Sequence, residues 1–152
     1  MASTVQSSTL KVTLTERIIL NGRDHGSSNE LSISDINEAS KRIVTTNGTS
    51  ATTVVSFGPT PAGGTYIDSD VRYIRITNLD DTNYATLRIT GDASTDFAVR
   101  LDPYSNYIIT STSTTGVVDY ADISGVTLDN LAAISATANT AAVDLEIFVA
   151  SA

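Results

Sequence analysis

The side chains that could carry chemistry are few, and their spacing is wrong for it. His25, in Arg-Asp-His-Gly at 23–26, is the only histidine, so the commonest general base occurs once. No G-x-S-x-G elbow accompanies it. Neither G-x-x-x-x-G-K-[ST] nor G-x-G-x-x-G is present, and Gly63-Gly64 follows Pro61 in a segment with no helical pattern after it. Asp68/Asp70, Asp80/Asp81 and Asp92/Asp96 could offer oxygens to calcium. None has the D-x-[DN]-x-[DN]-G spacing, and aspartate is equally a turn residue. The chain contains no cysteine, which excludes disulfides and thiolate metal sites. The expectation is a protein with no catalytic residues, no metal ligands and no cofactor.

The remaining chemical feature is VRYIRITNLDDTNYATLRITG, residues 71–91, where arginines stand beside tyrosines in an acidic chain. Each half alternates with period two, the pattern of a strand with one buried face. Ile74 and Ile76 share a side in the first half, as do Ala85, Leu87 and Ile89 in the second. A four-residue loop at 80–83 makes the pair a β-hairpin, with Ile76 opposite Leu87 and Ile74 opposite Ile89. That register sets Arg75 against Arg88 on the outer face, flanked by Tyr73 and Tyr84. Like charges directly opposite destabilise a sheet, so an acidic partner is expected. We therefore expect Tyr73, Arg75, Tyr84 and Arg88 to form a protein-contact patch. Its partner is either the chain's own acidic last strand, through Asp144 and Glu146, or a neighbouring copy. Aromatics beside cations also describe single-strand nucleic-acid binders, but a net charge of −8 argues against a phosphate-rich partner.

The elements that must position these residues are strands. From Leu10 the chain alternates, with Leu10, Val12, Leu14, Ile18 and Leu20 on one side and Glu16 as an interruption or bulge. Asn21-Gly22 ends this strand, and residues 23–30 read as loop. Residues 31–46 carry both a capping-box spacing (Asp35, Glu38) and strand-like ends, and suit either a short helical turn or an irregular strand. Asn47-Gly48 signals a hairpin between RIVTT and ATTVVSF, and 58–70 reads as loop. DFAVRLD places Phe97, Val99 and Leu101 on one face, SNYIITSTS continues as a strand, and 115–130 is a mixture of short strands and turns. The last segment reads as a hairpin around Ala138-Asn139. Its final strand turns Val143, Leu145, Ile147 and Val149 inward and Asp144, Glu146 and Phe148 outward. Eight to ten short strands separated by turns imply an all-β, single-domain antiparallel sandwich of jelly-roll type over 9–152, preceded by an extended arm at 1–8.

Composition bounds the partners. At 152 residues the chain can bury a core of its own, and with only 17% charged residues its surface relies on Ser, Thr and Asn. No Lys or Arg follows Arg100, whereas six acids do. Such asymmetry suits copy-to-copy association, or neutralisation between the two regions of one monomer. The first residues lack the charged and apolar regions of a signal peptide. No apolar run approaches the roughly 20 residues of a membrane helix.

Four phrases, TLKVTLTERIILNG, NELSISDINEASKRIV, DVRYIRITNLDDTNYATLRI and AVDLEIFVASA, resemble small virion structural proteins of tailed bacteriophages, particularly those of marine bacteria and cyanobacteria. The resemblance implies a β-rich, non-enzymatic particle component in many copies, located in the virion after assembly in the host cytoplasm. The partners it implies are the major capsid protein or other virion proteins and further copies of itself, with neither nucleic acid nor membrane. Capsid decoration, a tail, fibre or adaptor role, and a carbohydrate-binding sandwich are the readings that compete.

Overall fold

The computed structural model describes residues 4–92, 96–112, 116, 118–120 and 128–152, side chains being described in all but 118–120, 128 and 129. These residues form strands and turns, with no helix. In chain order the strands are β1 (Ser8–Thr15), β2 (Ile19–Leu20), β3 (Arg23–Asp24), β4 (Ser28–Ile36), β5 (Glu38–Thr45), β6 (Thr52–Gly58) and β7 (Thr65–Ile67). They continue as β8 (Val71–Asn78), β9 (Ala85–Gly91), β10 (Asp96–Leu101), β11 (Asn106–Thr110), β12 (Val118–Tyr120), β13 (Leu128–Ala138) and β14 (Asp144–Ser151).

Two sheets carry the fold. One runs β11-β8-β14-β5; the other runs β10-β9-β13-β6-β7, with β12 on β13. Take β5, β6, β8, β9, β10, β11, β13 and β14 as strands one to eight. The sheets then read 6-3-8-1 and 5-4-7-2, the interleaved order of a jelly-roll sandwich. The expected fold class is therefore what the chain adopts. One ladder, β6–β7, is parallel rather than antiparallel.

The inward-facing positions follow the alternation. Ile74, Ile76, Leu145 and Ile147 from one sheet and Leu87, Ile89, Ile134 and Val54 from the other are at most 1% exposed, and all belong to one cluster. Full burial of each such side chain stabilises by about 1.5–3 kcal/mol before chain entropy is counted.

The pairing corrects three expected hairpins. β8 pairs with β11 and β14, while β9 pairs with β10 and β13. Residues 79–84 therefore arch from one sheet to the other, and Ile74 and Ile76 meet Leu87 and Ile89 across the core instead of along a ladder. Arg75 does not lie opposite Arg88. It sits between Phe148 and Ile108 in register, whereas Arg88 pairs with Ala98 and Ser135. β5 and β6 around Asn47-Gly48, and β13 and β14 around Ala138-Asn139, are likewise in opposite sheets.

Buried polar groups explain the crossings. Asn78 is fully buried. Its Nδ2 donates to the Asn83 carbonyl at 2.9 Å and the Leu101 carbonyl at 3.1 Å, and its Oδ1 accepts the Asp80 N–H at 2.9 Å. Asp80 Oδ1 then accepts the Thr82 and Asn83 N–H groups, which closes an Asx turn. At the same end, the Thr46 N–H donates to the Val143 carbonyl at 2.9 Å, and the Thr46 hydroxyl accepts the Val143 N–H at 2.9 Å. At the sandwich edge Arg42 Nη2 donates to the Val54 carbonyl at 2.5 Å, and the Ser40 and Tyr66 hydroxyls bond to each other.

Other expectations change locally. Residues 31–46 hold the strands β4 and β5 with a break at Asn37, so the irregular-strand reading applies and the helical turn does not. Asp35 there has φ 62°, a left-handed value that aspartate tolerates better than most residues. Residues 23–30 contain β3 and the start of β4, and β7 interrupts the 58–70 loop. Of the 115–130 region, 115, 117 and 121–127 lie outside the described residues, as do 1–3 of the expected arm.

Replacing Asn78 by Ala leaves two carbonyls and one N–H without their partner in a closed site. The expected cost is about 2–3 kcal/mol in urea unfolding, while Asp81→Ala in the same arch changes stability by less than about 0.5 kcal/mol.

Candidate functional site

The six expected contact residues do not form one patch. Tyr73, Arg75 and Glu146 share the outer face of the β11-β8-β14-β5 sheet. Arg75 Nη2 bonds Glu146 Oε1 at 2.7 Å, Lys41 Nζ bonds Glu146 Oε2 at 2.9 Å, and Arg75 Nη1 donates to the Thr77 hydroxyl at 2.5 Å. The expected acidic partner of Arg75 is thus the chain's own last strand. Arg88 lies on the other sheet and pairs with Asp96. Tyr84 precedes β9 and stacks beneath the Arg100 guanidinium, 4.0 Å from the ring centroid. Asp144 accepts from the Thr45 hydroxyl at 2.5 Å at the edge of β14. The loop aspartates are also engaged locally: Asp80 by its own turn and Asp68 Oδ1 by the Ser69 N–H at 2.6 Å.

Tyr73 is buried rather than displayed, because a third layer covers it. β1 and β4 pair with Val12 opposite Leu31 and Leu10 opposite Ile33, so four apolar side chains fall on one face. That face packs on Tyr73, Phe148 and Ala150. Tyr73 and Phe148 meet edge to face, with centroids 5.8 Å apart and planes at 69°. Burial pushes the Tyr73 phenol pKa up, and the nearby Arg75 charge partly offsets this.

Beyond this base the ladder continues. Glu16 N–H bonds the Ser27 carbonyl, His25 N–H bonds the Ile18 carbonyl, and Ile19 and Leu20 pair with Asp24 and Arg23. Asn21 and Gly22, with φ 51° and 76°, make the turn. Residues 8–36 are therefore one long hairpin. Gly26 is required in it: a Cβ there would lie 2.1 Å from the Glu16 carbonyl oxygen. Residues 13–25 are all exposed, and Ile18, Ile19 and Leu20 at the tip show 48%, 58% and 53% of their surfaces. Between the hairpin base and the sheet runs a groove of about 920 Å³, with Leu10, Val12, Leu14 and Leu31 on one wall and Tyr73, Ile108 and Phe148 on the other.

The arm and groove escaped the reading of the sequence, although the signal was there. Asn21-Gly22 is a strong hairpin dipeptide, and Leu10/Val12 and Leu31/Ile33 alternate on either side of it.

The Lys41 ammonium, and then the Arg75 guanidinium, hold the Glu146 carboxyl below its ordinary pKa. A depressed folded-state pKa stabilises at pH values above the ordinary one and is lost as pH falls through it. Thermal unfolding midpoints should be flat near neutrality and fall below about pH 4.5. Glu146→Gln should lie lower near neutrality and converge toward the parent curve in acid. Asp80, held low by the Asn83 and Thr82 N–H groups, and Asp96, held low by Arg88, keep part of the acid sensitivity in that variant.

No protein-family model matches this chain, and neither does any curated protein or solved structure.

Proposed function

We propose that this chain is a non-enzymatic structural protein of a tailed-bacteriophage particle, a decoration or cement protein that binds the shell between capsid subunits and stabilises it. The observation that supports this most is the projecting hairpin. A rigid jelly roll presents thirteen consecutive exposed residues with isoleucine and leucine at their end, and exposed apolar groups in a contiguous stretch mark contact sites. The phrases shared in kind with small virion proteins point the same way. Repetition of one modest contact over a lattice yields strong attachment by multivalency. The partners in this reading are the major capsid protein or other virion proteins and further copies of the chain; it involves neither nucleic acid nor a membrane. A carbohydrate platform is less well supported, because among the described residues the exposed aromatics, Tyr104 and Phe97, stand apart, in the β10–β11 connection and near the start of β10.

Quantitative mass spectrometry of purified particles of the encoding phage tests the proposal. A copy number comparable to that of the major capsid protein is expected. A small number matching tail symmetry would move the chain to the tail, fibre or adaptor role, and absence from particles would remove the virion reading.

A further inference from the structure

The arm tip and the groove are both apolar, and within one molecule they cannot meet. The rungs at Glu16–Ser27, Ile18–His25 and Leu20–Arg23 keep the hairpin extended. Ile19 stands five residues beyond Leu14, or about 17 Å at strand rise, and no tip residue lines the groove.

We propose that the occupant of the groove is the arm tip of a second copy, exchanged reciprocally about a two-fold axis. Three observations favour this partner. Ile19 and Leu20 are adjacent on a strand and so point to opposite faces; a tip that is apolar on both faces suits a slot with two apolar walls. The groove has such walls, one from the ribbon and one from the sheet. The tip's charges also cancel, with Glu16 and Asp24 against Arg17 and Arg23. Two copies that each carry −8 can therefore meet there without opposing their acidic C-terminal thirds, and the tip lacks the cationic surplus that draws a hairpin to an anionic membrane. Finally, the size fits. The thirteen exposed arm residues and the fourteen lining the groove share Thr13 and Leu14, which makes twenty-five a side. Stable interfaces use about 20–30.

Reciprocal insertion makes the interface isologous, each copy giving one tip and receiving one. The arms then cross near Glu16-Arg17, an acid–base pair that is self-complementary about the axis. The unpaired edge of β1, which lines the groove, is covered in the process, as long edge strands generally require.

This deepens the self-association part of the proposed function and rests on it, but the isolated chain tests it without any particle. The chain has no cysteine, so Leu20→Cys and Ile108→Cys variants can be made singly and mixed. A disulfide between the two can form only between copies. The expected results are a covalent tip-to-groove dimer on mixing and a dimer of the unmodified chain in sedimentation. The Ile19→Ser/Leu20→Ser double variant should raise the dimer dissociation constant by about 100-fold or more with unchanged circular dichroism. Tip-to-tip disulfides without tip-to-groove ones, or a dimer that survives the double variant, would overturn the proposal. So would a monomeric parent, including one that co-sediments with phosphatidylcholine–phosphatidylserine vesicles in a tip-dependent way. A monomer that still binds capsids would leave the decoration reading in place and remove only the exchanged arm.

Discussion

The insertion of β14 between β8 and β5 is the constraint on which the rest of the structure depends. Its inward residues Leu145, Ile147 and Val149 lie in register with Asn78, Ile76 and Ile74 of β8 on one side and with Val44, Arg42 and Ser40 of β5 on the other. Without it the sheet would reduce to the β8–β11 pair and a lone β5, which has no other strand partner among the described residues. The outer face of β14 matters as much. Glu146 joins Arg75 and Lys41 across three strands, and Phe148 supports the base of the hairpin arm. One strand thus completes the core, pairs with two cations of its sheet and carries the third layer. Because it pairs with β5 and β8, both far earlier in the chain, the sandwich closes through long-range contacts, the topology associated with slow folding.

The arches follow from the same constraint. A turn sequence reports that the chain reverses direction, but not whether the returning strand pairs with the one just left. Asn-Leu-Asp-Asp-Thr-Asn at 78–83 resembles a hairpin loop, yet Asn78 is buried and bonds to the Asn83 carbonyl within the arch and to the Leu101 carbonyl at the end of β10, in the opposite sheet. Those acceptors exist only once both sheets are assembled. The Thr46–Val143 pairing ties the other two arches together in the same way.

The cationic residues divide by sheet. Arg75 is satisfied by its own sheet's acidic strand, Arg88 by the strand that hairpins with its own, and Arg100 by Tyr84 and Asp102. The apolar groups left bare among the described residues include a hairpin tip and a groove at the hairpin's base. Ion pairs set geometry inside the fold, whereas bare apolar surface of this kind is what hydrophobic burial covers in association.

Residue alternation by itself determined most of the longer strands, the inward sets Ile74/Ile76, Ala85/Leu87/Ile89 and Leu145/Ile147/Val149, and hence the all-β sandwich, because the period of two is a local property of an extended backbone. The charge pattern offered Asp144 and Glu146, or a neighbouring copy, as the acidic partner of the Tyr73, Arg75, Tyr84 and Arg88 set, and the structure joins only Arg75 to Glu146. Only the tertiary structure decided which strands pair, and so separated Arg88, Tyr84 and Asp144 from Tyr73 and Arg75. Pairing depends on acceptors and surfaces contributed from distant parts of the chain, as between Glu38 and Ser151. The arm was decided in the same way. Its alternation was legible, but its base is covered and its tip left bare because the outer face of a sheet assembled from β8 and β14 lies under one end and not the other.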